Sequence, residues 1–176
     1  MKFKPLSLDG AYMIDPEPLV DERGMFARTF CGREFAARGL DSLIAQCSTS
    51  YNRRRSTLRG MHYQVAPFAE AKLVRCVRGA IHDVIIDLRP DSATWMRWTA
   101  AELSADNRRM LYVPAGFAHG FQTLTDDAEV FYQISEWYSP EHARGVRWND
   151  DAFGIRWPLA DPIVSNKDSS YPDFVS

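Results

Sequence analysis

Lys72-Leu-Val-Arg-Cys-Val-Arg78, then Gly79-Ala80, then Ile81-His-Asp-Val-Ile-Ile-Asp-Leu88, is the stretch on which the fold turns. Its first half alternates in the manner that gives a strand one face toward a core. β-Branched residues dominate the second half, and the glycine between the halves marks a reversal, so the stretch reads as two strands about a tight turn. Outward from it, the chain from Ile44 is a succession of short β-rich runs. Trp95 to Glu102, Met110 to Val113, Phe117 to Thr123 and Val130 to Tyr138 are separated by polar turns at Arg89–Thr94 and Ser104–Arg109, the pattern of a sandwich or barrel. Upstream lie a short run at Ala11–Ile14, a turn at Asp21-Glu-Arg-Gly24 leading into Met25–Phe30, and one helical candidate, Gly32 to Arg38, closed by Gly39. Beyond Gly145, Trp148, Phe153, Trp157 and three prolines predict an irregular aromatic cap. The reading is an all-β barrel with a few short helices, a single domain over residues 1–176.

Composition narrows the function. With 176 residues, 45% apolar and 12% aromatic, the chain can bury a core without staples. A formal charge of −2 argues against a polybasic nucleic-acid binder. Cys31, Cys47 and Cys76 are odd in number and lack Cys-x-x-Cys spacing, which points to a reducing compartment rather than a disulfide framework or zinc site. The Met-Lys-Phe-Lys-Pro start has no apolar run of signal-peptide length, and no stretch approaches the roughly 18 apolar residues of a membrane span, so a cytoplasmic protein is expected.

The chemistry concentrates at Thr57-Leu-Arg-Gly-Met-His-Tyr-Gln64, which sets His62 and Arg59 close together on a strand. Lys72, His119, Tyr132 and Asp168 follow over the next hundred residues or so, which suggests a site lined from several strands. Each has a plainer reading alone: a satisfied strand histidine, a core tyrosine, a loop carboxylate, a solvent-facing lysine. Arg53-Arg-Arg55 reads as a solvated loop, and Trp148 and Trp157 as packing.

Taken together, Leu58-Arg-Gly-Met-His-Tyr-Gln64, Lys72-Leu-Val, Asp83-Val-Ile-Ile-Asp-Leu-Arg89 and Pro114-Ala-Gly-Phe-Ala-His-Gly-Phe121 resemble the dTDP-4-dehydrorhamnose 3,5-epimerase family, sugar-nucleotide epimerases of the cupin superfamily. The likeness runs from Asp21-Glu-Arg-Gly-Met-Phe26 to Ser165-Asn-Lys-Asp168. It implies a cupin-type jelly-roll barrel, a homodimer with shared strands, no metal or organic cofactor, and a nucleotide-diphosphate sugar as substrate. The corresponding pathway is deoxysugar synthesis for cell-surface polysaccharide.

By that resemblance His62 is the base, Asp168 the carboxylate that orients it, Tyr132 the acid on the far face, and Lys72 the cation that holds the oxyanion. The types suit the reaction. A 4-keto sugar has acidic C–H bonds beside its ketone, so inversion requires a base, an acid on the other face and a charge for the enolate between them. Losing one oxyanion donor typically costs about 2.7–4 kcal/mol in the barrier. Arg23, Gln46, Ser48, Arg59, His119 and Tyr138 fall at substrate-contacting positions, with Phe26 reaching across from a partner subunit.

Two departures from the family pattern fall at nucleotide-contacting positions: Arg28 stands where a glutamate is usual, and Gln46-Cys47-Ser48 where Gln-x-Asn is usual. They leave open a single-centre epimerase acting on a GDP- or CDP-linked sugar. A metal-dependent cupin would need a second histidine at Gln64, and His82 joins His119 only if alternation turns it inward. A sugar-nucleotide-binding module without turnover would not need both His62 and Tyr132.

Overall fold

The alternating runs form strands, and the strands sort into two facing layers. The structure, a computed structural model, describes residues 1–175. In chain order the first strands are β1 (Lys2–Pro5), β2 (Tyr12–Asp15), β3 (Leu19–Asp21) and β4 (Gly24–Phe26), followed by helix α1 (Gly32–Ala36). The body of the barrel is β5 (Gln46–Asn52), β6 (Leu58–Gln64), β7 (Lys72–Arg78), β8 (Ala80–Asp87), β9 (Trp98–Ser104), β10 (Met110–Val113), β11 (Phe117–Thr123), β12 (Ala128–Ile134) and β13 (Ala143–Gly145). Helix α2 (Asn166–Ser169) follows in the cap.

One sheet runs β1-β2-β10-β7-β12-β5 and the other β13-β6-β11-β8-β9, while β3 and β4 form a separate hairpin. Between the sheets, Val74, Cys76 and Val130 meet Ile81, Ile85 and Phe121 in one buried cluster. This is the paired-sheet arrangement of a jelly roll, with alternate residues of each strand turned inward. Phe35 of α1 covers the outer face of the first sheet, against Leu73 and Tyr112. Phe153, Trp157 and Phe174 of the cap cover the outer face of the second, against Met61, Val84 and Ile86. No helix among the described residues is long and apolar enough to cross a membrane.

Several boundaries differ from the sequence reading, each for a local reason. The stretch around Gly79 is not a hairpin: β7 and β8 lie in different sheets, and Gly79, at φ +71°, carries the chain across. The run from Val130 stops at Ile134 instead of reaching Tyr138, because Gln46 of β5 and Lys72 of β7 are the last residues on either side to pair with it. Helix α1 ends at Ala36, where bonds from Gly39 N–H to Ala36 O and Leu40 N–H to Phe35 O close the turn.

Strand β9 begins at Trp98 and not Trp95 because Asp87 gathers the preceding segment into a turn. Its carboxylate accepts bonds from Ser92 Oγ at 2.5 Å, Thr94 Oγ1 at 2.7 Å and Arg89 Nη2 at 2.7 Å. Burial alone would raise the Asp87 pKa, but these donors and the Arg89 backbone N–H outweigh it and hold the carboxyl at about 2. Because the folded value lies below the ordinary 3.8, the stabilisation is complete above that pH and is lost as pH falls through 2. The shift corresponds to about 2 kcal/mol. Urea denaturation of Asp87→Asn should show a deficit of about that size at pH 7, narrowing between pH 4 and pH 2; a deficit independent of pH would assign the loss to packing.

Candidate active site

The Arg-Gly-Met-His segment of β6 does not follow the simple alternation of a strand. Against β11, His62 pairs with His119 and Arg59 pairs with Phe121, so Gly60 and Met61 together stand opposite Gly120. That extra residue is a β-bulge, and it changes which way side chains point. Arg59 and His62, three residues apart, both turn to the inner face, while Met61 packs outward under the cap. Glycine is required on both sides. Gly60 has φ +129°, and a β carbon there would lie 2.5 Å from Gly120 Cα and 2.9 Å from His119 O. One on Gly120 would lie 2.6 Å from Met61 Sδ.

Asp168 uses the bulge as its anchor. Its Oδ2 accepts the Gly60 N–H at 3.2 Å and its Oδ1 accepts from His62 Nε2 at 2.8 Å. Ser165 caps α2 by accepting the Asp168 N–H at 3.1 Å, which turns the carboxylate inward, where it is 4% exposed. Burial would raise the Asp168 pKa; the hydrogen bond and charge of His62, then the Gly60 N–H, bring it below the ordinary carboxylate value. An ionised Asp168 accepts from Nε2, and in the neutral form of the ring this leaves the lone pair on Nδ1, which has no protein partner among the described residues.

The facing sheet supplies the other groups. Lys72, 8% exposed at the start of β7, donates to Glu70 Oε1 at 3.0 Å and to His62 O at 3.3 Å. Gln64 Nε2 holds the other oxygen of Glu70 at 3.0 Å. Tyr132 of β12 points inward and meets His119 edge-on, with ring centroids 5.9 Å apart. Burial, and after it the charge of Asp83, pushes its phenol far above the usual tyrosine value, while Arg59 pulls the other way. His119 Nε2 donates to Asp83 Oδ1 at 2.7 Å. Arg59 Nε donates to Asn52 Oδ1 at 2.7 Å, which steadies the guanidinium at the inner face.

These groups share a cleft of about 530 Å³. Of the residues expected at a site, His62, Lys72, Tyr132, Arg59, His119, Gln46, Ser48 and Tyr138 line it, and Asp168 stands behind His62. Arg23 and Phe26 do not reach it in this chain. Both lie on the β3–β4 hairpin, where Arg23 is exposed and paired with Asp21 at 2.5 Å. His82 faces outward against Trp157, away from His119. Glu70, Ser50, Phe121 and Ile134 also line the cleft, and Asp83 and Asn52 brace it; none was expected from the sequence. A usable signal existed for the Asp168 helix, since Ser165-x-x-Asp168 is the spacing of a capping box.

A barrel whose cleft holds an imidazole braced by a carboxylate, with a phenol and an ammonium on the facing sheet, is equipped to move protons at carbon, the work of an isomerase. The chain belongs to the dTDP-4-dehydrorhamnose 3,5-epimerase family, whose model matches residues 5–176. A dTDP-4-dehydrorhamnose 3,5-epimerase of Sinorhizobium fredii is 44% identical over 173 residues, covering 98% of this chain and 89% of the relative. Among solved structures, the dTDP-4-dehydrorhamnose 3,5-epimerase of Elizabethkingia anophelis superposes with a TM-score of 0.96 at 38% identity, covering 99% of this chain and 96% of the other. That of Bacillus anthracis, with TDP and PPi bound, gives 0.94 at 40% identity, covering 98% and 99%.

The bulge makes a direct prediction. Gly60→Ala forces a methyl into the backbone of β11 from a φ that alanine resists, and should destabilise the fold by roughly 2–5 kcal/mol in urea denaturation. A variant of unchanged stability would show that β6 and β11 can separate without cost.

Proposed function

We propose that this chain inverts C5 and C3 of a dTDP-linked 4-keto-6-deoxy sugar by removing and returning the protons beside the ketone. The observation that carries the reading is the placement of His62, braced by Asp168, and Tyr132 on opposite sheets of one cleft. Nδ1 of His62 takes the proton from carbon, and the electron pair of the C–H bond moves to the ketone oxygen as an enolate. Lys72 holds that oxygen, its ammonium kept in place by Glu70. Tyr132, whose burial keeps it protonated, gives a proton to carbon from the other face and becomes a phenolate. The imidazolium then releases its proton to water and the phenolate recovers one, so a second centre can follow by the same cycle. Arg59 and His119 bind the diphosphate and sugar, and Gln46, Ser48 and Tyr138 line the approach for the nucleoside.

By the same reading the chain works as a homodimer in which the β3–β4 hairpin serves the other copy, bringing Arg23 and Phe26 to its cleft. Support comes from the hairpin itself, whose Leu19, Val20 and Phe26 are 74%, 75% and 75% exposed. Replacing Val20 and Phe26 with serine should shift sedimentation toward a monomer and weaken nucleotide binding together; a dimer that persists with full affinity would remove the hairpin from both roles.

Tyr132→Phe tests the chemistry. Loss of the phenol removes the acid but leaves the base and the oxyanion support, so the variant should exchange substrate protons with deuterated water and return them to the original face. Deuterium incorporation and product configuration, read by NMR on one sample, decide the matter. An unchanged ratio of inversion to exchange would assign the acid elsewhere.

A further inference from the structure

The segment that carries Asp168 is strapped, beyond α2, to the part of the cap that follows β13. Arg147 pairs with Asp173, the Asp150 carboxylate accepts the Phe174 N–H at 2.6 Å, and the Phe174 ring lies 5.1 Å from that of Phe153. Between these anchors and Asp168 stands Tyr171. Its ring rests on the bare Cα of Gly145: a β carbon there would fall 2.3 Å from the ring's Cζ and 2.4 Å from Cε2. Gly145 of β13 is the cross-strand partner of His62 on β6. The same tyrosine ring meets the imidazole edge-on, with centroids 6.2 Å apart and planes at 67°.

We propose that Tyr171 is a positioning residue of the proton-transfer site, its ring seated in the notch left by Gly145 so that it walls one flank of His62 and fixes the short helix presenting Asp168. This rests on the reading of His62 as the base. The hydrogen bond to Asp168 fixes where Nε2 points but allows the ring to swing about that axis, and the side chain is 41% exposed. An aromatic edge against the imidazole limits the swing, so Nδ1 stays aimed into the cleft. Misaimed bases lose rate more than they lose binding. The ring does this work, and phenylalanine supplies the same ring.

Steady-state kinetics on the 4-keto sugar nucleotide, with proton exchange followed in deuterated water, compares five proteins: wild type, Tyr171→Phe, Tyr171→Ala, Gly145→Ala and the Gly145→Ala/Tyr171→Ala double variant. Tyr171→Ala and Gly145→Ala should each lower kcat on the order of 10- to 100-fold, with KM within about two-fold of wild type. Tyr171→Phe should stay within about two-fold in both. The double variant should be no worse than either single one, because the added methyl then has no ring to displace. Additive losses in the double variant would overturn the proposal, as would wild-type kcat in Tyr171→Ala or a Tyr171→Phe defect as large as that of Tyr171→Ala. Circular dichroism melts accompany the kinetics. If Tyr171→Ala fails to fold, Gly145→Ala and Tyr171→Phe decide: loss in the first with activity in the second supports the role, and any other combination refutes it. A wild-type chain that exchanges no substrate proton overturns the proposed reaction together with this role, whereas an active wild type beside a fully active Tyr171→Ala refutes only the role of Tyr171.

Discussion

Two residues of β6, Gly60 and Met61, stand against one residue of β11, Gly120, and the cleft is arranged around that mismatch. In an unbroken ladder Arg59 and His62 would face opposite sides of the sheet. The extra residue turns both inward, and it also leaves the Gly60 N–H available to Asp168, a carboxylate from the far end of the chain. A buried carboxylate without partners costs several kcal/mol. Here the bulge supplies one donor and the imidazole it has turned inward supplies the other. The absence of side chains at Gly60 and Gly120 thus leads, through backbone approach, to the pairing of a histidine with a carboxylate more than a hundred positions away.

Three carboxylates in or beside the cleft each hold a basic side chain, in different surroundings. Asp168 has two donors and a partner imidazole with 41% of its side chain exposed. Glu70 is shared between Lys72 and Gln64, with both members of the ion pair only 10% exposed. Asp83 is fully buried, gives one oxygen to His119 and leaves the other without a partner. An unpaired buried oxygen is a cost, and this one lies beside the cleft. After burial, the charge of Asp83 is the next influence that keeps the Tyr132 phenol protonated. One carboxylate therefore fixes the His119 imidazole at the cleft and helps to keep the Tyr132 phenol protonated.

Strand positions were legible in the sequence where a single strand decides them. Alternation along β7 turns Lys72 inward with Val74, and the positions singled out by resemblance, His62 and Tyr132, line the same cleft. What could not be read depends on neighbours. The end of β12 is set by where β5 and β7 stop pairing, so the apolar run to Tyr138 misleads. Asp83 looks like an ordinary polar interruption in Asp83-Val-Ile-Ile until β11 brings His119 beside it. That the chain gains a residue at Gly60, and that Asp168 takes up the Gly60 N–H, are facts about two strands and a helix together.

On the proposed reading, the same geometry separates the proton-transfer groups from those that meet the rest of the substrate. His62, Lys72, His119 and Tyr132 sit on β6, β7, β11 and β12, each paired on both sides, where a change of residue disturbs two neighbours. Gln46, Ser48 and Ser50 line the cleft from β5, an outer strand of its sheet, with Ser48 directly across from Tyr132. Arg28 lies on the surface, bonded to Glu34 at 3.1 Å. Substitution at such places changes the surface without repacking the core, since exposed and outer-strand side chains carry little of the burial energy. The two positions at which this chain departs from the family pattern, Arg28 and Ser48, both lie there. Change at those two positions is thereby decoupled from the groups gathered around His62, whose positions the bulge and the paired central strands hold.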